Sequence, residues 1–189
     1  STFRLDYYSS QPDSRFGLSP RQMAQANLQR CRSFAEHFGS SYENLLLYGS
    51  AGLGKTFLSS CIARTVTERG FSVTYDTAIS IFDQYNAVKF RTGDPAAAAH
   101  AVERFRSADL LIVDDLGTEM PSSFHTSCLY DLISRRLMSR KPTILSTNLL
   151  PAELESRYSQ AIASRILGEF TQLRFIGSDI RRIRKQQRL

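Results

Sequence analysis

The sequence predicts an α/β fold in which a five-stranded parallel sheet lies between two layers of helices. Strand-like runs alternate with helical patterns along the 189 residues, and this alternation is typical of parallel sheets with right-handed crossovers. One run, residues 110–113, is wholly apolar, which indicates a strand buried on both faces. The five predicted strands are residues 45–48, 71–76, 110–113, 143–148 and 171–176.

Composition excludes several classes of protein. The chain has 42% hydrophobic and 22% charged residues, and no apolar run approaches the roughly 20 residues that a membrane-spanning helix needs. The N-terminus lacks the basic-then-apolar pattern of a signal peptide. Cys31, Cys61 and Cys128 are odd in number and widely spaced, so we expect buried small hydrophobes rather than a disulfide or a metal site. The sequence therefore predicts a cytoplasmic protein with no membrane partner.

Residues 1–40 are expected to form an N-terminal arm and a helix. The first 20 residues mix aromatic residues with proline and glycine, which indicates an extended arm. Ser19 and Pro20 are typical of an N-cap and a first helical position, and Gly39 is a stop signal after about Phe38.

The segment from Asn44 to Thr56 joins an apolar run to a glycine-rich loop and the start of a helix. Its last eight residues, GSAGLGKT, fit the pattern G-x-x-x-x-G-K-[ST] of a phosphate-binding P-loop. In such a loop Lys55 reaches the β- and γ-phosphates of a nucleotide and Thr56 holds Mg²⁺. The N-terminal arm would then pack on the nucleotide base or simply cover the core. The predicted nucleotide-binding residues are Gly49, Ser50, Ala51, Gly52, Leu53, Gly54, Lys55, Thr56 and Phe57.

Three helices and a strand are predicted after the P-loop. The P-loop helix ends at Gly70, and Asp94-Pro95 begins a helix through Arg106. Residues 77–91 combine aromatic with basic side chains, a mixture that can stack on single-stranded nucleic acid and neutralise it. The alternative, which the pattern alone favours, is a helix with one core face and one solvent face.

Polar residues follow two of the predicted strands. Asp114 and Asp115 come directly after residues 110–113, and Asn148 ends the strand that starts at Thr143. Ligands bind at the carboxyl ends of strands in open α/β sheets, which is also where the P-loop lies. We therefore expect Asp114 to hold Mg²⁺, Asp115 to position the attacking water, and Asn148 to hold the water or the γ-phosphate.

The last third of the chain continues the alternation of helices and strands. A helix is predicted for residues 123–140, and another for residues 150–167 with Glu153 and Arg157 as an i,i+4 pair. Ser178 is expected to cap a basic C-terminal helix, since residues 179–189 carry a net charge of +4 out of the chain's +6. A basic tail favours an anionic partner, although a solvated helix end explains it equally well.

Five segments in this order resemble one family. GSAGLGKT, LLIVDDLGTE, ILSTN, ASRILGEF and RFIGSDIR are similar to the ATPase domain of bacterial replicative helicase loaders of the DnaC/DnaI type, within the AAA+ superfamily of P-loop NTPases. The same set is shared with IstB-type transposition ATPases. The resemblance implies an AAA+ core over residues 41–177 and a C-terminal helix over residues 178–189, with a minimal lid domain or none.

The resemblance also implies roles for individual residues. Lys55 with Thr56, and Asp114 with Asp115, look like the Walker-A and Walker-B pairs, and Asn148 looks like sensor 1. Arg165 resembles an arginine finger that acts in trans on a neighbour's ATP, with Arg157 as the alternative. Arg181 is similar to a sensor 2 arginine. Residues 77–108 occupy the place of a DNA-facing insertion.

The partners follow from the same resemblance. We expect ATP and Mg²⁺ as ligands, self-association through the nucleotide sites, single-stranded DNA, and a hexameric replicative helicase bound through an additional N-terminal domain of a longer protein. The alternative is a transposition ATPase that acts with a transposase on duplex DNA. A small-molecule P-loop kinase and a nucleotide-dependent switch without useful hydrolysis are further hypotheses.

Overall fold

The computed structural model describes residues 3–186. Ser1 and Thr2 of the predicted arm and Arg188 of the predicted basic tail lie outside these residues. The strands are β1 (Leu45–Tyr48), β2 (Val73–Thr77), β3 (Leu110–Leu116), β4 (Thr143–Thr147) and β5 (Thr171–Arg174). The helices are α1 (Pro20–Glu36), α2 (Lys55–Glu68), α3 (Ala78–Phe90), α4 (Pro95–Ser107), α5 (Ser123–Met138), α6 (Pro151–Arg157), α7 (Gln160–Glu169) and α8 (Ile180–Gln186), with a short 3₁₀ helix at Leu5–Tyr7.

The five strands form one parallel sheet in the order β2-β3-β4-β1-β5. This arrangement confirms the predicted fold class. Because the strands are parallel, the carboxyl ends of β1, β3 and β4 lie side by side at one edge of the sheet. The P-loop follows β1 and Asn148 follows β4. The two aspartates lie within the last residues of β3, which runs three residues beyond the predicted 110–113. The topology therefore brings the predicted site together.

Successive side chains of a strand point to opposite faces of the sheet and pack into two separate hydrophobic cores. Leu45 and Leu47 of β1 pack with α1 and α2, whereas Leu46 and Tyr48 pack with the layer formed by α3, α4, α5, α6 and α7. All four side chains are buried. This alternation gives the three predicted layers and explains why β1 is apolar throughout.

Local signals placed several helices correctly. Ser19 and Gln22 form a capping box at the start of α1, with Pro20 in its first turn. Asp94 accepts hydrogen bonds from two backbone N–H groups at the start of α4. Within residues 3–186 no helix is long and apolar enough to cross a membrane.

The predicted single helix over residues 150–167 is wrong, because the chain forms α6 and α7 instead. The hydroxyl of Ser159 accepts a hydrogen bond from the N–H of Ile162, which ends one helix and caps the next. The predicted Glu153–Arg157 pair is wrong as well. Glu153 accepts from the N–H of Leu150 at 2.6 Å, and Arg157 turns to Glu119.

Two smaller expectations are corrected. Cys61 is exposed, whereas Cys31 and Cys128 are buried as predicted. Asp179 rather than Ser178 begins α8, since its carboxylate accepts a 2.8 Å hydrogen bond from the N–H of Arg181. The short carboxylate side chain is as good a cap as a hydroxyl and lies one residue nearer the helix.

Candidate functional site

The P-loop leaves β1 and returns into α2 through three glycines with positive φ, at positions 49, 52 and 54. At Gly52 the reason is close approach: a Cβ there would lie 2.0 Å from Oδ1 of Asp179. Ile180 also donates its N–H to the carbonyl of Gly52 at 3.0 Å. The glycine therefore lets the end of the chain lie directly against the loop.

Lys55 is the buried cation of the loop. Its ammonium donates to the carbonyls of Gly49 at 2.5 Å and Ser50 at 2.8 Å, and to Oδ1 of Asn148 at 2.8 Å. Burial lowers the pKa of Lys55 to about 8, while Asp115 and Asp114 oppose that shift. The hydrogen-bond partners of this ammonium are neutral carbonyl and amide oxygens, so they orient its positive charge and do not cancel it.

Asp114 lies at the centre of a buried hydrogen-bond network. Its Oδ1 accepts from the hydroxyl of Thr56 at 3.3 Å and from Ser146, and its Oδ2 accepts from the hydroxyl of Tyr75 at 3.0 Å. The residue is 4% exposed. The three donors fix the carboxylate beside the first turn of α2.

Asp115 adopts an unusual backbone conformation next to this network. Its φ is +53°, a region that residues other than glycine rarely adopt. Its N–H donates to the hydroxyl of Ser146 at 3.1 Å, and its carbonyl accepts from the hydroxyl of Thr118 at 2.7 Å. The strand pairing of β3 with β4 is irregular at this point. The distortion separates the two aspartates, so that Asp114 is buried and Asp115 lines a cavity.

The cavity measures about 530 Å³ and lies over the P-loop. It contains seven of the nine predicted nucleotide-binding residues, together with Asp115, Asn148 and Arg181. Gly49 and Ser50 lie beneath it and contact Lys55 through their carbonyls. The other lining residues are Phe3, Arg4, Tyr7 and Tyr8 of the N-terminal arm, together with Thr118, Ile180 and Arg184, which the sequence did not predict.

The N-terminal arm forms one wall of the cavity. The hydroxyl of Tyr8 donates to the carbonyl of Leu53 at 2.8 Å, and the ring of Phe3 lies 5.8 Å from that of Phe57. Tyr8 is buried. The arm is therefore fixed to the P-loop, and Phe3 packs against the core on that side of the sheet, as the second of the two sequence readings expects. That the arm packs on a nucleotide base stays a prediction.

Arg165 lies outside the cavity and contacts Tyr130. Its guanidinium donates to the Tyr130 hydroxyl at 2.9 Å and lies 4.8 Å from the ring centre. Arg157, the alternative finger, is tied to Glu119 within its own chain. Each of the two candidate arginines is thus held by a contact within its own chain, Arg165 by a tyrosine and Arg157 by a carboxylate.

The helix α3 shows both faces that the sequence left open. Phe82 and Tyr85 are buried, as a core face requires. Phe90 is 61% exposed, and the ammonium of Lys89 lies 3.8 Å from the ring centre of Phe124. A core face and an exposed aromatic and basic surface thus coexist on this helix.

Sequence reasoning missed Tyr75 and Ser146, the two side chains that hold Asp114 besides Thr56. Both lie on strands that flank β3, Tyr75 on β2 and Ser146 on β4. The hydroxyl of Ser146 in the wholly buried strand β4 is a signal, since a buried hydroxyl needs a partner. Using that signal requires the strand order, which the sequence pattern does not give.

The residues at this edge fit a nucleotide with Mg²⁺. Hydroxyl and carboxylate oxygens are the ligands that Mg²⁺ prefers, and Thr56 and Asp114 supply one of each, 3.3 Å apart. The glycine-rich loop and the N-terminus of α2 suit a polyphosphate. The aromatic arm suits a flat base.

The sequence is similar to those of known proteins. A model of the family described as IstB-like ATP binding protein matches residues 15–187. Replicative helicase loader DnaC of Escherichia coli (strain K12) is 25% identical over 141 residues, which are 74% of this chain and 56% of that protein. An ATP-binding protein in an insertion sequence of Mycobacterium tuberculosis is 28% identical over 116 residues, 58% of this chain and 42% of that protein. The chain thus spans about half the length of the curated relatives it matches.

Solved structures share the fold. The crystal structure of the DnaC helicase loader matches with a TM-score of 0.71 and 22% identity, covering 92% of this chain and 96% of that one. The replication initiator DnaA bound to AMPPCP and single-stranded DNA matches with a TM-score of 0.68 and 21% identity, covering 85% and 49%. The fold is therefore that of AAA+ P-loop NTPases, and the resemblance seen in the sequence is confirmed: the chain belongs to the IstB-like ATP-binding protein family.

Proposed function

We propose that this chain binds ATP with Mg²⁺ in the cavity over the P-loop and hydrolyses the γ-phosphate. The observation that carries the proposal is the convergence of Lys55, Asp115, Asn148 and Arg181 on one cavity, with Asp114 and Thr56 at its base. A cation, a fixed carboxylate and an amide at one point are the parts that phosphoryl transfer requires.

Each residue has a task in that reaction. Lys55 neutralises charge on the β- and γ-phosphates, and Thr56 and Asp114 hold the metal. Asp115 accepts a hydrogen bond from the attacking water, and Asn148 orients the water or the γ-phosphate. The bound metal supplies further charge neutralisation at the phosphate oxygens. Arg181 contacts the nucleotide from its own chain.

We further propose that subunits assemble side by side, so that Arg165 completes a neighbour's site. The arginine lies on the surface of α7, away from its own cavity, and only Tyr130 holds it among the described residues. An arginine supplied in trans can raise the rate by about 10³-fold or more. Hydrolysis is then weak in isolated monomers and rises with assembly.

The partners follow from the similarity to DnaC. We propose that the assembled chains bind single-stranded DNA through the exposed aromatic and basic part of α3 and help to load a hexameric replicative helicase. Lys89 and Phe90 supply the charge and the stacking surface. The alternative function is a transposition ATPase that acts with a transposase on duplex DNA, which the insertion-sequence relative favours.

Turnover measured against protein concentration tests the proposal. Wild type, Lys55→Ala, Arg165→Ala and the control Arg182→Ala are compared with and without single-stranded or duplex DNA. We expect no nucleotide binding by Lys55→Ala, and a concentration-dependent rate that Arg165→Ala loses and Arg182→Ala keeps. A rate per subunit that is flat with concentration and indifferent to Arg165 contradicts the shared site. Stimulation by duplex DNA alone supports the transposition function instead.

A further inference from the structure

Glu119 is a buried carboxylate that the reaction described above does not use. It is 6% exposed and lies four residues after Asp115. Its Oε2 accepts from the N–H of Gly117 at 2.9 Å, and its Oε1 accepts from the hydroxyl of Tyr158 at 2.6 Å. Both oxygens of the carboxylate therefore have donors.

Arg157 completes this cluster from the end of α6. Its guanidinium lies 3.4 Å from Oε1 of Glu119 and also donates to the backbone carbonyl of the same residue. The side chains of Glu119 and Arg157 are 4% and 17% exposed. We call the contacts of Glu119 with Gly117, Arg157 and Tyr158 the Glu119 clasp.

The clasp closes the turn formed by residues 115–119. The turn begins at Asp115 with its φ of +53°, and Gly117 follows with a φ of +100°. A left-handed aspartate costs conformational energy and persists only where its surroundings hold it. Ser146 and Thr118 hold its backbone from the β4 side and from within the turn, and the clasp fixes the far end.

Gly117 shows how tightly this turn is packed. A Cβ at that position would lie 2.7 Å from a methyl carbon of Leu149. Leu149 in turn donates its N–H to Thr147, whose hydroxyl donates to the carbonyl of Leu116. The turn therefore packs closely against the segment after β4, and its other side faces Asp115 and the cavity.

Stability alone is a poor explanation for the clasp. Replacing a buried ion pair by apolar residues of similar volume is often neutral or stabilising, so such a pair is weak support for a purely structural role. The Nε of Arg157 also has no hydrogen-bond partner among the described residues. The cluster is thus costly to bury, and it lies beside the one strained residue of the cavity.

We propose that Glu119 is a positioning residue that sets the direction of the Asp115 carboxylate through the turn of residues 115–119. This inference rests on the proposed ATP hydrolysis and adds to it a side chain that does not touch the nucleotide. The clasp joins the turn to the end of α6, so the position of that helix also bears on the placement of Asp115.

A double-mutant cycle between Glu119 and Asp115 tests the proposal. Glu119→Gln keeps the size of the side chain but offers one acceptor oxygen where three donors meet two oxygens, and Tyr158→Phe removes a single hydrogen bond and keeps the ring. We expect kcat to fall about tenfold or more in Glu119→Gln and less in Tyr158→Phe, since a displacement of 1 Å can cost about 10²-fold in rate. Nucleotide affinity stays within about twofold, because the P-loop is untouched.

The Asp115→Asn background separates positioning from general damage. If Glu119 acts through Asp115, Glu119→Gln lowers kcat by less than about twofold in that background. Losses that multiply, or a parallel loss of affinity, overturn the inference. Arg136→Lys is the control for a destabilised core, because Arg136 is buried at the opposite end of the sheet; we expect a lower melting temperature and an unchanged kcat.

Amide hydrogen exchange gives a second readout that does not need turnover. The N–H of Gly117 is bonded to Glu119, so it should exchange faster in Glu119→Gln while the amides of α2 do not change. Unchanged exchange at Gly117 overturns the clasp. A wild type with no turnover above background ends the proposed hydrolysis and this inference together, whereas clear wild-type turnover with multiplying losses, or with a rate that Asp115→Asn leaves unchanged, ends only the inference.

Discussion

The ammonium of Lys55 and Oδ1 of Asn148 are joined by a 2.8 Å hydrogen bond across the P-loop cavity. The bond links the loop after β1 to the end of β4, two strands that are neighbours in the sheet. The lysine is thus aimed by two loop carbonyls and one side chain. Removing the side chain of Asn148 leaves the carbonyls of Gly49 and Ser50 in place as acceptors for Lys55.

Asn148→Ala is expected to lower kcat by about 10- to 100-fold and to change nucleotide affinity little, because one polar group that orients the reactants is lost. Asn148→Asp is expected to weaken nucleotide binding more than alanine does, since a carboxylate beside Lys55 competes with the phosphates. Titration with a fluorescent ATP analogue and steady-state turnover measure both effects. Equal affinities for the two variants contradict this account of the Lys55–Asn148 bond.

The affinity for ATP is expected to fall as pH rises above about 8. Burial lowers the pKa of Lys55 to about 8 in the free protein, and phosphates favour the protonated lysine, so binding raises that pKa. Above the free pKa, binding must take up a proton, and the affinity drops about tenfold per pH unit. Binding measured from pH 7 to 9.5 checks this, with Lys55→Met as the control. A wild-type affinity as flat across this range as that of Lys55→Met is inconsistent with the shifted lysine.

Local patterns were enough to predict one side of the site. The apolar run before Gly49 and the motif that follows it place Lys55 and Thr56, and the apolar run before Asp114 places that carboxylate at the same edge. The start of α1 was predicted as well, because an N-cap serine followed by a proline is a signal that two adjacent residues carry. Each of these signals lies within a few consecutive residues, so it can be recognised without knowing which distant parts of the chain meet.

Contacts between distant residues could not be predicted in this way. The hydroxyl of Tyr158 reaches Glu119 across 39 residues, and that of Tyr75 reaches Asp114 across the same separation. The Tyr75 contact depends on the order of the strands, and the Tyr158 contact depends on the break between α6 and α7. Periodicity treats residues 150–167 as one helix, since the capping role of Ser159 is visible only when its hydroxyl is seen to bind Ile162.

Tyr75→Phe is expected to raise the Mg²⁺ concentration needed for half-maximal turnover by about 10-fold or more, as losing a partner of a metal ligand commonly does. The hydroxyl of Tyr75 donates to Oδ2 of Asp114 at 3.0 Å, and its loss leaves that oxygen free to turn away. Tyr85→Phe is the control, since it likewise removes one tyrosine hydroxyl, and the hydroxyl of the buried Tyr85 has no hydrogen-bond partner among the described residues. An equal Mg²⁺ requirement in the two variants contradicts the role of Tyr75.

Arg136 is a buried arginine whose hydrogen bonds join α4 to β4. The side chain is 1% exposed, and its guanidinium donates to the hydroxyl of Thr143 and to four backbone carbonyls around the end of α4 and the start of β4. Burial lowers the pKa of Arg136 to about 10. No carboxylate within residues 3–186 forms an ion pair with it.

Arg136→Met is therefore expected to lower the free energy of unfolding by about 3–5 kcal/mol, because the carbonyls lose their donors in a place that water does not reach. Arg136→Lys is expected to lose nearly as much, since one ammonium cannot span the same acceptors. Arg135→Met is the matched control: this neighbour is 58% exposed and pairs only with Asp131 on the surface, so its loss should change stability far less. Urea unfolding of the three variants measures the difference. Equal stabilities of Arg136→Met and Arg135→Met would show that the carbonyls find other donors, and that the buried guanidinium is not what fixes α4 to β4.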